Sequence, residues 1–521
     1  MPTVIAITGA SGAMGGEAFD QLLDSSHDLR FRVFLWEKEK RKPAFFRQSL
    51  RKGRGRIEFV KGDLARYEDC VRLLDGADYL LHCAALIPPR SDHDEEGAYR
   101  SDYLASKNLI DAVNASPWRE KIKVVYIGTV AEYGNRNLQT LWGRVGDPII
   151  SSDYDCYSMN KIKAERYLFE HRPVHFVSLR QTAIAHKYLF KNNLFDGLMF
   201  HTSWNDPLEW VSDQDSGRLL KHLVEFDLEG KLPDFWEQIY NIGGGRSCRA
   251  TGYESVAAGF ALMGRTPKDF FDPEWNITRN FHGMYYLDSD LLENILHFRK
   301  DNLKDFWARM GAKYWYFRLA KLAPSRLIKA VAFKPLLKND NAPLYWVNHG
   351  YKGHIKAFYG GEEAFAQLPR EWSQTSLLCE NHDSKGGPID NEELKTQAWA
   401  ETHGIRLNHG FDESKPLSEL GLGDMKEAAA FRGGSCISES MVKGDMWTKL
   451  KWRCAEGHEF EATPFTILFG GFWCPLCEEP KPWATGRLAA HSPFFAQVYF
   501  ADHSKDETGD VFPLEKQGGR D

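Results

Sequence analysis

The chain has 521 residues, enough for roughly two or three folded units with their own cores. Its formal net charge of -6 and isoelectric point near 6.3 carry no polyanion-binding signature, so nucleic acid is not an expected partner. No apolar run reaches the ~18 residues of a membrane span, the first residues lack a signal-peptide pattern, and the nine cysteines are scattered singles plus one cluster near Cys474, which together predict a reducing, cytoplasmic setting.

Residues 3–8 form a short apolar run, followed by a glycine-rich turn, a helical stretch over 17–23 and a second strand over 31–36. Further apolar runs at 57–60, 79–82, 124–127 and 174–179 alternate with helix-compatible segments. This β-α alternation predicts an α/β fold, a Rossmann-type doubly wound parallel sheet. After Arg180 the rhythm becomes irregular and aromatic, and Tyr240-Asn241-Ile242-Gly243-Gly244-Gly245 reads as a late strand feeding a substrate subdomain. Residues 1–300 are therefore expected to form the dinucleotide- and substrate-binding unit.

A long helix is predicted over 303–333, carrying Trp307, Tyr314, Trp315, Phe317, Leu319, Leu322 and Leu327 between Lys313, Arg318, Lys321, Arg326 and Lys329. Such a basic amphipathic pattern suits either a membrane surface or a helix joining two domains; the connector reading, over 301–340, is the expectation, with no membrane contact. Residues 341–521 abandon the strand-helix alternation and are expected to form a C-terminal domain.

The opening turn, Thr8-Gly9-Ala10-Ser11-Gly12-Ala13-Met14-Gly15, follows a strand and starts a helix. Glycines there let the backbone turn tightly and approach a pyrophosphate at the positive helix end. Glu37, closing the second strand, is placed to accept hydrogen bonds from the adenosine ribose, which favours NAD; Lys38, Lys40, Arg41 and Lys42 behind it leave NADP open. Asp63 and Leu64 end the third strand where an adenine ring would lie, and Cys83, Ala84 and Ala85 end the fourth with side chains small enough for a cofactor to pass.

Tyr157 and Lys161 stand four residues apart on a predicted helix, hence on one face. The Lys161 charge is expected to lower the Tyr157 pKa so that the phenol exchanges a proton with substrate, and to hold the nicotinamide ribose. Thr129, just after the fifth strand, is expected to hydrogen-bond the substrate oxygen.

As a set, these residues with His82, Tyr133-Gly134, Leu179-Arg180 and Tyr240-Asn241 resemble the extended short-chain dehydrogenase/reductase family, which includes NAD-dependent epimerases and dehydratases. The resemblance covers approximately residues 3–300 and implies a Rossmann fold, NAD(P)-dependent hydride transfer on a hydroxyl or ketone of a small molecule, and dimerisation through helices flanking the sheet. Two departures narrow it. Val130-Ala131 stands where sugar dehydratases carry Asp-Glu after the catalytic Thr, which removes the acid and base of water elimination, and Gln181-Thr182-Ala183-Ile184-Ala185-His186 lacks the Asn and Gly-Pro turn of nucleotide-sugar epimerases. A dehydrogenase or reductase is the expected function, with a sugar epimerase and a non-catalytic dinucleotide sensor as alternatives.

Near the C-terminus, Cys454 and His458, then Cys474 and Cys477, supply two ligand pairs on knuckle-like turns. Three thiolates and an imidazole suit a closed tetrahedral zinc site that staples rather than catalyses. The segment resembles a zinc ribbon or treble clef at about 447–480. The bases Lys449, Lys451 and Arg453 are offset by Glu456, Glu459, Glu461, Glu478 and Glu479, so protein contact or scaffolding is expected of it rather than nucleic-acid binding.

Overall fold

The computed structural model describes residues 2–38, 47–137, 139–189, 196–380, 391–403, 406–478 and 483–512. Lys40, Arg41, Lys42 and Glu479 lie outside them.

Seven strands form one parallel sheet: β1 (Thr3–Thr8), β2 (Leu29–Trp36), β3 (Ile57–Gly62), β4 (Tyr79–His82), β5 (Lys123–Thr129), β6 (His175–Gln181) and β7 (Gln238–Ile242). Their order is β7-β6-β5-β4-β1-β2-β3. The chain winds outward from β1 to β3, returns, and winds the other way from β4, so β1 and β4 flank the topological switch point. They pair from Ile5 with Tyr79 to Thr8 with His82. In such a sheet the crevice for a ligand opens beyond the carboxyl ends of these strands.

Alternation along the strands sends side chains to two cores, as a sheet covered on both faces requires. Ile5, Ile7, Phe31, Val33, Leu81, Val125 and Val177 face helices α1 (Ala13–Leu22) and α5 (Asp213–Leu228). Those helices approach so closely that a Cβ on Gly217 would sit 2.7 Å from the Glu17 backbone. Ala6, Phe34, Val60, Leu80, Val124 and Tyr126 face the opposite side with α2 (Tyr67–Leu74), α3 (Ala105–Ala115) and α4 (Cys156–Glu170).

This second core does not stop at residue 300. It runs on through Leu420, Met425, Trp452, Phe465, Ile467 and Trp473, so the C-terminal segment completes the covering of the sheet. Phe169 of α4 meets Phe465 edge-on at 5.3 Å, and Phe176 of β6 meets Trp447 at 5.8 Å. The segment itself contains α7 (Leu422–Phe431) and a three-stranded antiparallel sheet, β8 (Ser435–Cys436), β9 (Leu450–Arg453) and β10 (Glu459–Ala462).

The predicted long helix is broken. α6 runs from Leu303 to Lys313 and is followed by a 3-10 turn at Trp315–Leu322, a single α-turn at Ser325–Ile328 and irregular turns to Lys338. Pro324 explains the second break, since its ring and missing amide hydrogen interrupt the helical ladder.

Candidate active site and cysteine cluster

The glycine turn is built for close approach. Gly9 adopts φ +71°, and a Cβ there would lie 2.6 Å from the Cys83 carbonyl carbon and 2.7 Å from the Ala84 nitrogen. The Gly12 amide donates to the Gly9 carbonyl at 2.8 Å, and α1 begins at Ala13 with no side chain capping its first amides. A Cβ on Gly15 would press to 2.5 Å from the Gly9 oxygen. Met14 and Gly15 are buried, while Gly12 is exposed at the tip, with Ser11 and Ala13 partly exposed beside it. This uncapped helix start, reached only by small residues, fits a pyrophosphate.

Behind the turn, Thr8 Oγ1 pairs with His82 Nδ1 at 2.8 Å and accepts the Ala84 amide at 3.1 Å, while His82 Nε2 meets Ser106 Oγ at 3.0 Å. Burial pushes the His82 pKa down to about 3, so the imidazole is a neutral structural link between β1, β4 and α3. Ala85 continues this chain end, partly exposed, into the crevice.

At the other end of the turn, both Glu37 oxygens accept from Arg66, at 2.6 and 3.2 Å. Asp63 accepts from Arg100 at 3.0 Å and from the Ala65 amide at 3.0 Å. The carbonyl of buried Leu64 accepts from Asn108 at 3.0 Å. The two acids expected to meet the adenosine are thus held in place by arginines.

Thr129 ends β5, and Tyr157 lies in the first turn of α4, whose amide at Ser158 is capped by Asp155 at 2.9 Å. The two side chains are brought together, close enough for the Thr129 hydroxyl to act on the Tyr157 phenol. Lys161 follows one turn later, 2 % exposed, and donates to the Ile127 carbonyl at 2.6 Å over the Tyr126 ring. Its charge acts on Cys83, against which Gly9 is packed, so the glycine turn and α4 converge on one place.

The electrostatics differ from expectation. Burial drives the Tyr157 pKa up, the charges of Asp102 and Glu132 add to it, and the nearby Thr129 hydroxyl works against it. The Lys161 ammonium is turned to the carbonyl of Ile127, and burial lowers its pKa.

Beneath Thr129 lies a buried network in which sequence reasoning named Tyr133 and Arg180 but not Glu132, Glu165 or Asp102. Glu132 Oε1 accepts the Thr129 amide at 2.9 Å, fixing the end of β5. Arg180 donates to Glu165 at 2.7 Å, to the Tyr133 hydroxyl at 2.8 Å and to the Gly470 carbonyl at 2.8 Å. The Glu132 pKa rises well above its ordinary value through burial and the neighbouring Glu165, whereas Arg180 holds Glu165 ionised. Asp102, 1 % exposed, accepts the Leu86 amide at 2.7 Å, and burial pushes its pKa up to about 7. A signal for part of the network was present: Glu132 and Arg180 are charges set in otherwise apolar segments.

A cavity of about 1110 Å³ opens at the same end of the sheet, reached by Pro88 after β4, Cys156 at the start of α4 and Ala183 after β6. Its far wall is apolar, with Met199, Phe260, Trp307, Phe333, Trp346 and Phe358. Its polar lining holds the acids Asp92, Glu95, Asp153, Asp155 and Asp340 together with His201, His282 and His354. Among the described residues no Lys or Arg lines it. Asp155 pairs with His282 at 3.1 Å, and Asp92, buried beside Asp155, has its pKa pushed up to about 7.

Cys454, His458, Cys474 and Cys477 place one ligand atom each within 4.8 Å of one another. The Cys454–Cys477 sulfurs are 3.8 Å apart, and His458 Nδ1 lies 3.4 and 3.7 Å from the Cys477 and Cys474 sulfurs. A tetrahedron with metal–sulfur bonds of about 2.3 Å has edges of about 3.8 Å, so the four groups fit a zinc-sized ion. The His458 carbonyl accepts the Cys454 amide at 3.0 Å and the Cys474 carbonyl accepts the Cys477 amide at 3.1 Å, which makes both ligand pairs tight turns.

No described helix is long and apolar enough to cross a membrane. Among curated proteins the chain is similar to the decarboxylating sterol-4-alpha-carboxylate 3-dehydrogenases of Bos taurus, 28% identical over 116 residues, and of Homo sapiens, 26% identical over 165 residues. These matches span 21% and 31% of this chain and only 30% and 38% of the relatives' own length. Among solved structures it is similar to dTDP-glucose 4,6-dehydratase from Bacillus anthracis in complex with NAD, with a TM-score of 0.48 and 17% identity over 61% of this chain and 98% of that one. It is also similar to UDP-glucuronic acid 4-epimerase from Bacillus cereus in complex with UDP-glucuronic acid and NAD, with a TM-score of 0.45 and 17% identity over 61% of this chain and 99% of that one. Residues 5–185, which build most of the sheet, the glycine turn and the Thr129–Tyr157–Lys161 group, match the model of the NAD dependent epimerase/dehydratase family.

Proposed function

We propose that this chain is an NAD-dependent dehydrogenase or reductase acting on a hydroxyl or ketone of an uncharged, largely apolar small molecule. The observation that carries the reading is the juxtaposition of Thr129 and Tyr157 at the carboxyl ends of the strands, beside the Gly9–Cys83 contact and next to an apolar cavity.

The first amides of α1 would hold the dinucleotide pyrophosphate, and Glu37 and Asp63 its adenosine. Glu37 favours NAD; Arg66 beside it is the group that would meet a 2'-phosphate if NADP bound. When bound, the nicotinamide supplies hydride acceptor and donor chemistry. Tyr157 exchanges the proton with the substrate oxygen while Thr129 orients that oxygen. The high phenol pKa keeps Tyr157 protonated as resting donor, which suits ketone reduction; Lys161, one turn along α4, would hold the nicotinamide ribose. Glu132 does not serve as the second acid of a dehydratase, since it is fully buried and bound to the Thr129 amide.

The lining selects against nucleotide sugars. A diphosphate would face Asp92, Glu95, Asp153, Asp155 and Asp340 with no lysine or arginine among the described lining residues, a repulsive arrangement. The same acids disfavour a carboxylate like the one in the name of the bovine and human sterol relatives, while the apolar wall favours a body of comparable hydrophobicity.

Cys454, His458, Cys474 and Cys477 are proposed to hold a structural zinc ion, four protein ligands leaving no position for an activated water. The division into a 1–300 redox unit, a 301–340 connector and a 341–521 C-terminal unit is likewise a proposal, with units sharing a core rather than standing apart.

The test is cofactor reduction followed by NADH absorbance with a panel of uncharged cyclic secondary alcohols and, separately, UDP- and dTDP-sugars. Turnover of an apolar alcohol with NAD is expected. Conversion of a nucleotide sugar without net cofactor change would overturn the reading in favour of an epimerase.

A further inference from the structure

We propose that the segment 313–338 is a docking face for an anionic lipid bilayer, and that the cavity opens onto that face. From residue 306 to 339 the sequence holds Arg309, Lys313, Arg318, Lys321, Arg326, Lys329, Lys334 and Lys338 and no acidic residue, in a chain whose formal net charge is -6. The bases are interleaved with apolar side chains that the fold leaves in solvent: Trp315 is 62% exposed, Leu319 56%, Leu322 84%, Leu327 56% and Val331 69%. Large apolar groups at this exposure and density are uncommon on a protein that meets only water.

The broken helix explains the arrangement. With Pro324 interrupting the ladder, the chain cannot bury one continuous stripe, and the short turns at Trp315–Leu322 and Ser325–Ile328 divide their apolar groups between two destinations. Phe317, Ile328, Phe333 and Leu336 turn inward and line the cavity, while Leu319, Leu322 and Leu327 turn outward. Val331 belongs to both sets: it lines the cavity and is 69% exposed, which marks the mouth.

A lipid surface is the occupant that satisfies both halves of the face. Exposed Arg318, Arg326, Lys334 and Lys338 pair with anionic headgroups, and the leucines between them enter the headgroup-acyl boundary. The proposal departs from the expectation against membrane contact, which rested on treating 303–333 as one packed connector helix. An apolar molecule leaving the bilayer would enter the cavity without crossing water; that consequence rests on the cavity being the substrate site, whereas the docking itself does not.

The full chain would be sedimented with vesicles of equal phosphatidylglycerol and phosphatidylcholine and with vesicles of phosphatidylcholine alone. Binding to the anionic vesicles, at least about tenfold weaker to the neutral ones and reversed by high salt, is expected. Two variants separate the contributions: Leu319→Ser with Leu322→Ser and Leu327→Ser, and Arg318→Glu with Arg326→Glu and Lys334→Glu. Each is expected to lower the vesicle affinity about tenfold or more while unfolding at the wild-type temperature. Tyr157→Phe is expected to bind vesicles as the wild type does, so loss of catalysis and loss of docking remain separate results. Absence of sedimentation with anionic vesicles, or unchanged sedimentation of both variants, would overturn the proposal and leave an acidic protein surface as the occupant.

Discussion

Thr129 at the end of β5 faces Tyr157 in the first turn of α4, and the backbone amide of that threonine is itself held by buried Glu132 at 2.9 Å. The hydroxyl pair is therefore fixed from below before any substrate arrives. Pre-positioned groups of this kind contribute to catalysis because they need not reorganise during the reaction.

The glycine turn depends on Gly9 having no side chain. Gly9→Val demands a left-handed residue at φ +71° and drives a Cβ into the Cys83–Ala84 backbone. A loss of about 2–4 kcal/mol in unfolding free energy is expected, together with loss of NADH binding by fluorescence titration. Binding at wild-type affinity would show that the dinucleotide sits elsewhere.

Arg180 ties β6 to Glu165 of α4, to Tyr133 and to the Gly470 carbonyl of the C-terminal segment. Arg180→Ala leaves Glu165 ionised and buried, a cost of about 3–5 kcal/mol. Chemical denaturation is expected to show that loss, with both parts of the chain weakened together because they share a core.

Legibility in the sequence followed the range of the interactions. The seven strands, the Gly9–Gly15 turn and the spacing of Tyr157 and Lys161 are local patterns, and each lies in the structure where its period or spacing put it. The Lys161–Ile127 bond was not legible because its acceptor, the Ile127 carbonyl, lies on a strand far away in the chain. The shared core of Phe169, Phe176, Phe465 and Trp447 was invisible for the same reason. The segment after Lys313 was readable in principle, since Pro324 was in view, but its 3.6-residue apolar period outweighed that one breaker.

Asp102 gives the fold a pH dependence. Its pKa is raised from 3.8 to about 7 by burial, so between these values the folded state holds a proton that the unfolded chain releases. Stability from this group is greatest below pH ~4 and falls as pH rises toward 7. Asp102→Asn keeps an oxygen for the Leu86 amide and removes the buried charge. It is expected to be more stable than the wild type at pH 8 by about 1–3 kcal/mol, with the difference closing toward pH 4. A difference independent of pH would contradict the assignment.

The cysteine cluster predicts one zinc per chain by elemental analysis. Cys474→Ser or prolonged chelation is expected to lower the unfolding temperature by about 5 °C or more, since Trp473 beside the cluster is buried in the shared core. Turnover per folded molecule should persist just below that temperature, because none of the four cluster residues belongs to the Thr129–Tyr157–Lys161 group.

The most direct test is the single-turnover rate of hydride transfer in Tyr157→Phe, measured with the best alcohol of the panel alongside the dissociation constant for NAD. The rate should fall by about 100-fold or more, with NAD affinity nearly unchanged. Hydride transfer at the wild-type rate would contradict the placement of the reaction at the Thr129–Tyr157 pair.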